Sequence, residues 1–355
     1  MTRRARISIR AALAGLACVA ALAGAARPED LRVVYARAQA DWPASAQAMG
    51  QPPGDLAPSA LLPPPDPGLA ALGRAFFHDR RLSASGATSC ADCHQPAHGL
   101  SEPRPSVPGV GRKTPSLHAV IHRRSWGWDG RHKTLRAALL APLTHPAEMG
   151  NADLEALIRR VEPDYGAELT AELTAVFGDA KLSSSRLADA VAAWLQNQDL
   201  PSRLDRFLTG EGELTDQELL GLHLFRTKAR CVICHHGPTL SDERFHNLGL
   251  SSFGEASQDL GRWRATQAPE DTGRFRTASL RGIAARAPYM HSGHFATLAG
   301  VVRFYARGGG EVRARGAAEA ARPLFAEAAR LAPELQPLDL SESEIAALVA
   351  FLQAL

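Results

Sequence analysis

The sequence predicts an all-α protein built from two domains of similar size. Apolar residues recur at helical spacing in several segments, and no segment of any length alternates apolar and polar residues as a strand does. The pattern Cys-x-x-Cys-His occurs twice, beginning at Cys90 and again 141 residues later at Cys231. The 355 residues are enough for two domains that each bury a hydrophobic core.

Each copy of the pattern predicts the attachment of one c-type haem. Positions i, i+3 and i+4 of a helical turn share a face, so two thiols can bond two porphyrin vinyl groups while the imidazole reaches the iron. A four-cysteine zinc site is the alternative, but it leaves the histidine after each cysteine pair unexplained. We therefore expect two cytochrome c-like domains, each with one covalent haem c. The haem-attaching and iron-ligating residues are Cys90, Cys93 and His94, then Cys231, Cys234 and His235.

The first 25 residues predict a secretory signal peptide. Four arginines precede an apolar run from Ala11 to Ala23, and small residues suit cleavage after Ala25. The run is too short for a convincing membrane span. A lipid anchor at Cys18 is the alternative, but Gly15 stands where a larger aliphatic residue is usual. Haem c attachment requires export, so the predicted location is the periplasm.

Cleavage removes four arginines and no acid, which takes the formal net charge from +3 to −1. That balance argues against nucleic acid as a partner. Cleavage also removes Cys18, so every remaining cysteine belongs to a haem motif and none is left for a disulfide or for nucleophilic catalysis.

The chain after the signal peptide divides into three parts. Residues 26–68 are a lead-in rich in proline and alanine, which we expect to be extended from Pro52 to Pro67. An N-terminal domain spans 69–208 and a C-terminal domain spans 209–355. Periodicity and capping residues predict helices from Leu69, over 134–143, over 153–161, around 187–195, and after Thr215, Thr297 and Ser341.

Several further strings stand in a characteristic order around the two motifs. They are Trp128-Asp129-Gly130-Arg131, the run from Pro146 to Asn151, the run from Ala287 to Gly293, and Phe295-Ala296-Thr297-Leu298. From about Leu69 to Leu355 the chain thereby resembles the bacterial di-haem cytochrome c peroxidase family, which includes MauG. The resemblance implies an N-terminal peroxidatic haem, a C-terminal electron-transfer haem and a tryptophan between them.

The resemblance assigns catalytic roles to Glu148 and Trp128. Glu148 becomes the general acid–base that moves a proton during cleavage of the peroxide O–O bond. Trp128 becomes the relay between the haems, with Trp126 as the less favoured choice. Taken alone, an acid near a helix start and a large aromatic residue would be ordinary structural residues.

In conventional members of the family, a methionine binds the second iron. It stands fourteen residues after the histidine that matches His291. Here Tyr305 stands there, as in MauG, and it shares a helical face with Leu298. Met290 is the alternative ligand, and a packed core tyrosine is the structural alternative. A phenolate ligand stabilises oxidised iron, whereas a thioether ligand raises the reduction potential of the haem.

Two departures from the conventional pattern affect the first haem and the calcium ion that family members hold between their domains. The loop 101–112 contains no histidine to cap the first iron, which we therefore expect to be five-coordinate and open to peroxide. His98 is a less favoured cap. Lys113 replaces a calcium-ligating asparagine and Arg286 adds a second cation, so calcium is doubtful.

These features predict a periplasmic di-haem peroxidase of MauG-like type. It would reduce hydrogen peroxide at the N-terminal haem and draw electrons through the C-terminal haem from a protein donor or protein substrate. One alternative is a conventional cytochrome c peroxidase fed by a small cytochrome or cupredoxin. Another is a di-haem electron carrier without catalysis. In none of these cases would the processed chain be an integral membrane protein.

Overall fold

A computed structural model describes residues 28–48, 54–199 and 201–355. The predicted signal peptide and Cys18 lie outside these ranges. Within them no helix is long and apolar enough to cross a membrane. The described α-helices are α1 (Pro28–Tyr35), α2 (Pro67–His78), α3 (Cys90–Cys93), α4 (Leu135–Thr144), α5 (Leu154–Val161), α6 (Ala167–Phe177), α7 (Ser184–Gln196), α8 (Arg203–Leu208), α9 (Asp216–Arg226), α10 (Trp263–Thr266), α11 (Leu298–Ala306), α12 (Ala317–Ala320), α13 (Phe325–Ala329) and α14 (Glu342–Leu352).

Every helix predicted from the sequence is present, and the predicted caps explain where the helices begin. The Thr134 hydroxyl accepts from the Ala137 amide at the start of α4. Thr215 forms a capping box with Glu218 at the start of α9, and Ser341 forms another at the start of α14. Such caps satisfy amide groups that have no partner inside the helix. The fold is therefore rich in helices, as expected.

A small sheet corrects the expectation of a purely helical chain. Strands β1 (Phe245–Asn247) and β2 (Arg274–Arg276) pair antiparallel, with Phe245 opposite Arg276. Three residues are too few to show a pattern of alternation, so the strands had no signal in the sequence.

The first hydrophobic core lies where α2 crosses α7. Phe76 and Phe77 on α2 pack with Val191 on α7, and all three are buried. The crossing is close because Gly73 has no side chain: a Cβ there would lie 1.9 Å from the Ala190 carbonyl oxygen.

The second core repeats this arrangement with α9 and α14. Phe225 meets Phe351 edge-on, with 5.2 Å between the ring centroids. A Cβ on Gly221 would lie 2.1 Å from the Ala347 carbonyl oxygen. In both cases a helix that precedes a haem motif thus crosses a later helix at a glycine.

The N-terminal segment packs against the second core rather than the first. Leu31, Tyr35 and Leu56 are buried in the same cluster as the residues of α9 and α14. Arg226 on α9 donates through Nε to the Asp55 carboxylate at 2.9 Å. Part of the lead-in therefore completes the core of the distant half.

Candidate functional site

The two haem motifs fold into short helical turns that are locally alike. Cys90 and Cys93 bound α3, whose start is closed by a capping box between Ser89 and Asp92. The second motif begins in a 3₁₀ turn over Cys231–Ile233. In each motif the two cysteines and the following histidine thus belong to one short turn.

Each motif histidine is held in the orientation that an iron ligand needs. The Nδ1 atom of His94 lies 2.9 Å from the Leu100 carbonyl oxygen, and that of His235 lies 3.0 Å from the Leu240 carbonyl oxygen. A carbonyl oxygen only accepts, so Nδ1 carries the hydrogen and Nε2 keeps its lone pair. Burial lowers the pKa of both rings, that of His235 to about 4, and so keeps them neutral. Neutral imidazoles with a free Nε2 fit a haem iron.

The two accepting carbonyls depend on unusual backbone positions. Leu100 has φ 54° and Leu240 has φ 51°, both in the left-handed region, and both side chains are buried. Leucine rarely adopts this conformation, which costs about 1–3 kcal/mol. The same strain recurs after both motifs, which indicates that it serves the orientation of the histidines.

An apolar cavity of about 230 Å³ adjoins the second motif. Cys231, Cys234 and His235 line it, as do both alternative iron ligands, Tyr305 and Met290. Burial raises the pKa of Tyr305, and the neighbouring thiols of Cys234 and Cys231 raise it further, which places the phenol close to both cysteines. Its hydroxyl has no hydrogen-bond partner within the described ranges, as suits a group that faces a cofactor.

The surroundings of the first motif also suit a large apolar group. Helix α4 is rich in leucine and alanine, yet Leu143 is its only fully buried residue. Its neighbours Leu139 and Leu140 are partly buried, as are Leu117 and Ile121 from the preceding loop. Half-buried apolar side chains around a haem motif fit a porphyrin face.

Glu148, the predicted general acid–base, is partly exposed next to His145. Its side chain is 33% exposed and lies 3.6 Å from Nδ1 of His145. Burial raises the pKa of Glu148. The pKa of Cys93 is raised by burial and by the charge of Glu102, with a smaller contribution from Glu148. A carboxyl with a raised pKa beside the first motif can accept and return a proton.

A group of buried arginines provides an independent test of whether haem fits. Arg123, Arg276 and Arg286 are at most 8% exposed. Within the described ranges their only ion pair joins Arg276 to Glu243, at 3.5 Å. The Nε atoms of Arg123 and Arg286 are buried there without a partner.

Buried cations need anionic partners. Arg276 and Arg286 line the cavity of the second motif, as does Arg230, whose Nε also has no partner among the described residues. The two propionate groups of a haem are carboxylates that can supply this charge. The residues present therefore fit the cofactor in polarity.

Trp128 and Trp126 lie in different surroundings. Trp128 lines the cavity of the second motif, and its indole N–H donates to the Lys113 carbonyl at 2.8 Å. Its ring meets that of His291 edge-on at 6.3 Å, and His291 stacks on Phe275 at 3.5 Å. Trp126 is buried in the first core.

Lys113 is buried beside this tryptophan with its ammonium group on backbone oxygens. Its Nζ donates to the Glu102 carbonyl and, at 3.3 Å, to the Arg104 carbonyl. Burial lowers its pKa, and the nearby charge of Glu102 opposes that shift. A fixed cation thus occupies the place where the family resemblance would put a calcium-ligating asparagine.

A buried ion network joins the two halves next to Lys113. Arg112 binds Asp259 from the second half through two hydrogen bonds of 2.6 and 2.8 Å. It also donates to Asp129 at 2.7 Å, and Asp129 is fully buried. The sequence reasoning did not identify Arg112 or Asp259, because nothing local to either residue predicts a partner far away in the chain.

An internal repeat, also missed in the sequence, relates helices α4 and α11. Thr134 caps α4 and Thr297 caps α11, and each is followed by leucine. Eight residues after the cap, α4 carries Pro142 and α11 carries Tyr305. The proline side chain has no atom that can bind a metal ion, whereas the tyrosine side chain has an oxygen that can. The repeat is visible in the sequence once the two threonines are aligned.

Comparisons with known proteins agree with this geometry. A family model described as di-haem cytochrome c peroxidase matches residues 67–213. The cytochrome-c peroxidase IdrP2 of Pseudomonas sp. (strain SCT) is 33% identical, with 88% of each chain covered. The methylamine utilization protein MauG of Methylorubrum extorquens is also 33% identical, over 82% of this chain and 79% of its own.

Solved structures of related proteins also resemble this chain. A MauG-like protein associated with microbial copper homeostasis superposes with a TM-score of 0.70 at 29% identity, covering 87% of this chain and 95% of its own. The relatives include proteins named as peroxidases and proteins named MauG at equal identity, so the likeness alone does not separate the two types.

Proposed function

Because the chain belongs to the di-haem cytochrome c peroxidase family, we propose a MauG-like peroxidase that reduces hydrogen peroxide at its first haem motif. The family makes the chain a peroxidase-type oxidoreductase with haem c cofactors. Our finer proposal is that electrons enter through the second motif from a protein donor or protein substrate. We also propose export, with residues 1–25 removed and the mature chain in the periplasm.

The position of Tyr305 carries the MauG-like assignment. Its phenol faces the same cavity as Cys231, Cys234 and His235 and has no other hydrogen-bond partner within the described ranges. Pro142 occupies the equivalent place in the first half. Two helices of similar construction thus support a filled second site and an open first site.

The haem-binding residues would be Cys90, Cys93 and His94 in domain 69–208, and Cys231, Cys234 and His235 in domain 209–355. Tyr305 would be the second ligand of the C-terminal iron. When bound, each haem supplies an iron that can accept and release single electrons. Calcium is not required by this arrangement, because Lys113 already places a cation on backbone oxygens.

Glu148 would manage protons at the first site. Reduction of one peroxide molecule to two water molecules consumes two electrons and two protons. The raised pKa of Glu148 lets its carboxyl take a proton from one peroxide oxygen and deliver it to the other as the bond breaks. A nearby His145 can orient that carboxyl.

Trp128 would couple the two sites. Its ring lines the cavity of the second motif, and its indole N–H donates to the Lys113 carbonyl oxygen, which cannot take up the proton. An electron that passes through this ring therefore moves without proton loss.

A conventional peroxidase is the second candidate, since Met290 lines the same cavity as Tyr305. The resting ferric holoprotein distinguishes the candidates by electron paramagnetic resonance (EPR). We expect one high-spin haem, one low-spin haem and direct reaction with peroxide. Two low-spin haems that react only after partial reduction would favour the conventional type, and two low-spin haems inert to peroxide would favour a carrier. The Cys231→Ala, Cys234→Ala double variant should retain one covalent haem, and retention of two would contradict the attachment sites.

A further inference from the structure

A row of aromatic rings leads from the first motif to the protein surface. Phe77 lies 6.4 Å from the ring of His94, between centroids. Trp194 packs against Phe77 with 4.2 Å between the ring centroids and the planes tilted by 40°. Electron tunnelling weakens steeply with distance, so packed rings are better coupled than rings separated by solvent. The row connects the motif histidine to Trp194 through Phe77.

The crossing of α2 and α7 fixes this contact. A Cβ on Gly73 would lie 2.8 Å from the Cβ of Trp194, so the helices touch at that point. Phe77 follows Gly73 by one turn and therefore faces Trp194. At the equivalent crossing in the second half the partner is Phe351, which is fully buried. Of the two crossings, the first alone carries an oxidisable ring.

Trp194 also reaches the surface. It is half-buried and lines a shallow groove with Ala71, Arg74 and His78. The exposed ring of His78 lies 6.2 Å away, edge-on. The route thus ends where small reductants in solution can arrive.

The indole N–H of Trp194 differs from those of the interior tryptophans. Trp126 and Trp128 donate to backbone carbonyls, which cannot accept a proton outright. The described ranges contain no acceptor for the indole N–H of Trp194. This group can therefore release its proton to water once an electron has been removed.

We propose that Trp194 is an exit for oxidising equivalents from the first site. After peroxide has oxidised that site, Trp194 gives it one electron and loses the Nε1 proton to water, which leaves a neutral indole radical. A small one-electron reductant in solution, such as ascorbate, then returns one electron, and water returns the proton. Two such events balance the two electrons that one peroxide removes. The inference rests on the proposed role of the first motif as the peroxide site.

The test uses ferric holoprotein mixed with an equivalent of hydrogen peroxide and no donor. Freeze-quench EPR detects organic radicals, and peptide mapping by mass spectrometry locates oxidised tryptophan. We expect oxidation at Trp194, its loss in Trp194→Phe, and a several-fold lower yield at Trp194 in Phe77→Leu. Trp194→Phe reproduces the Phe225–Phe351 pair of the second half, so packing is preserved.

Trp263→Phe is the matched control. Trp263 is also half-buried, and no ring contact joins it to either motif within the described ranges. This variant should leave the radical yield unchanged. Suppose that haem absorption responds to peroxide. The proposal is then overturned if Trp194 stays unoxidised in wild type, or if the radical is undiminished in Trp194→Phe. Haem absorption that does not respond to peroxide at all would overturn the peroxide site as well.

Discussion

Replacing Arg112 by methionine should destabilise the protein strongly and in a pH-dependent way. Arg112 is 8% exposed and is the buried partner of both Asp129 and Asp259. Methionine keeps much of the side-chain volume but leaves two buried carboxylates without this cation. Breaking a buried pair on one side typically costs 3–5 kcal/mol. Arg131 still contacts Asp129 at 3.0 Å, so we expect about 3 kcal/mol near pH 7.

The sign of the pH dependence follows from the pKa of Asp129. Burial alone would raise this pKa, but Arg131 and Arg112 together hold it at about 2, below its ordinary 3.8. A lowered pKa contributes stability above pH 4 that is lost as the pH falls through 2. In Arg112→Met the carboxylates protonate more readily. The difference in unfolding free energy between wild type and variant should therefore shrink as the pH falls from 7 to 4.

Urea unfolding followed by circular dichroism at pH 7 and pH 4 measures this difference. Arg131→Met is the matched control, because Arg131 binds the same carboxylate but its side chain is 47% exposed. An exposed pair contributes about 1 kcal/mol or less. The reasoning would be refuted if the two variants lost equal stability at pH 7, or if the loss in Arg112→Met did not depend on pH.

Three further predictions concern the site. Tyr305→Met should raise the reduction potential of the second haem, measured by spectroelectrochemistry, and an unchanged spectrum in Tyr305→Phe would mean that the ring only packs. Chelators should leave turnover unchanged, and Lys113→Ala should lose about 1–3 kcal/mol by leaving buried carbonyls unpaired; activity lost on chelation and recovered specifically with calcium would contradict this role. Glu148→Gln should slow the reaction with peroxide by roughly 10²–10⁴-fold in stopped-flow absorption at unchanged haem content, and equal rates would remove Glu148 from the mechanism.

The sequence was most informative where a structure is determined by neighbouring residues. Helix starts at Thr134, Thr215 and Ser341 follow from side chains that bond amides three residues away. The haem motifs are equally local, since cysteines and histidine share one turn. For such features the sequence and the structure agree closely.

Features that depend on distant contacts could not be predicted. The bond between Asp55 and Arg226 joins residues 171 apart, and no local pattern assigns that partner. The left-handed Leu100 and Leu240 look like ordinary apolar residues in the sequence. The buried arginines have the same appearance as surface arginines until their surroundings are known. The short strands fall below the length at which alternation can be detected.

The packing of the N-terminal segment has a consequence for the order of assembly. Leu31 and Tyr35 belong to a core whose other members extend to the last residues of the chain. This segment is made early, but it cannot pack until the second half has emerged, and such long loop closures are slow. The buried residues of the first core all lie within residues 72–195, so this core can form before the second half has emerged. The order in which the chain emerges thus favours folding of the first core ahead of the second, with closure of the N-terminal segment as the last step.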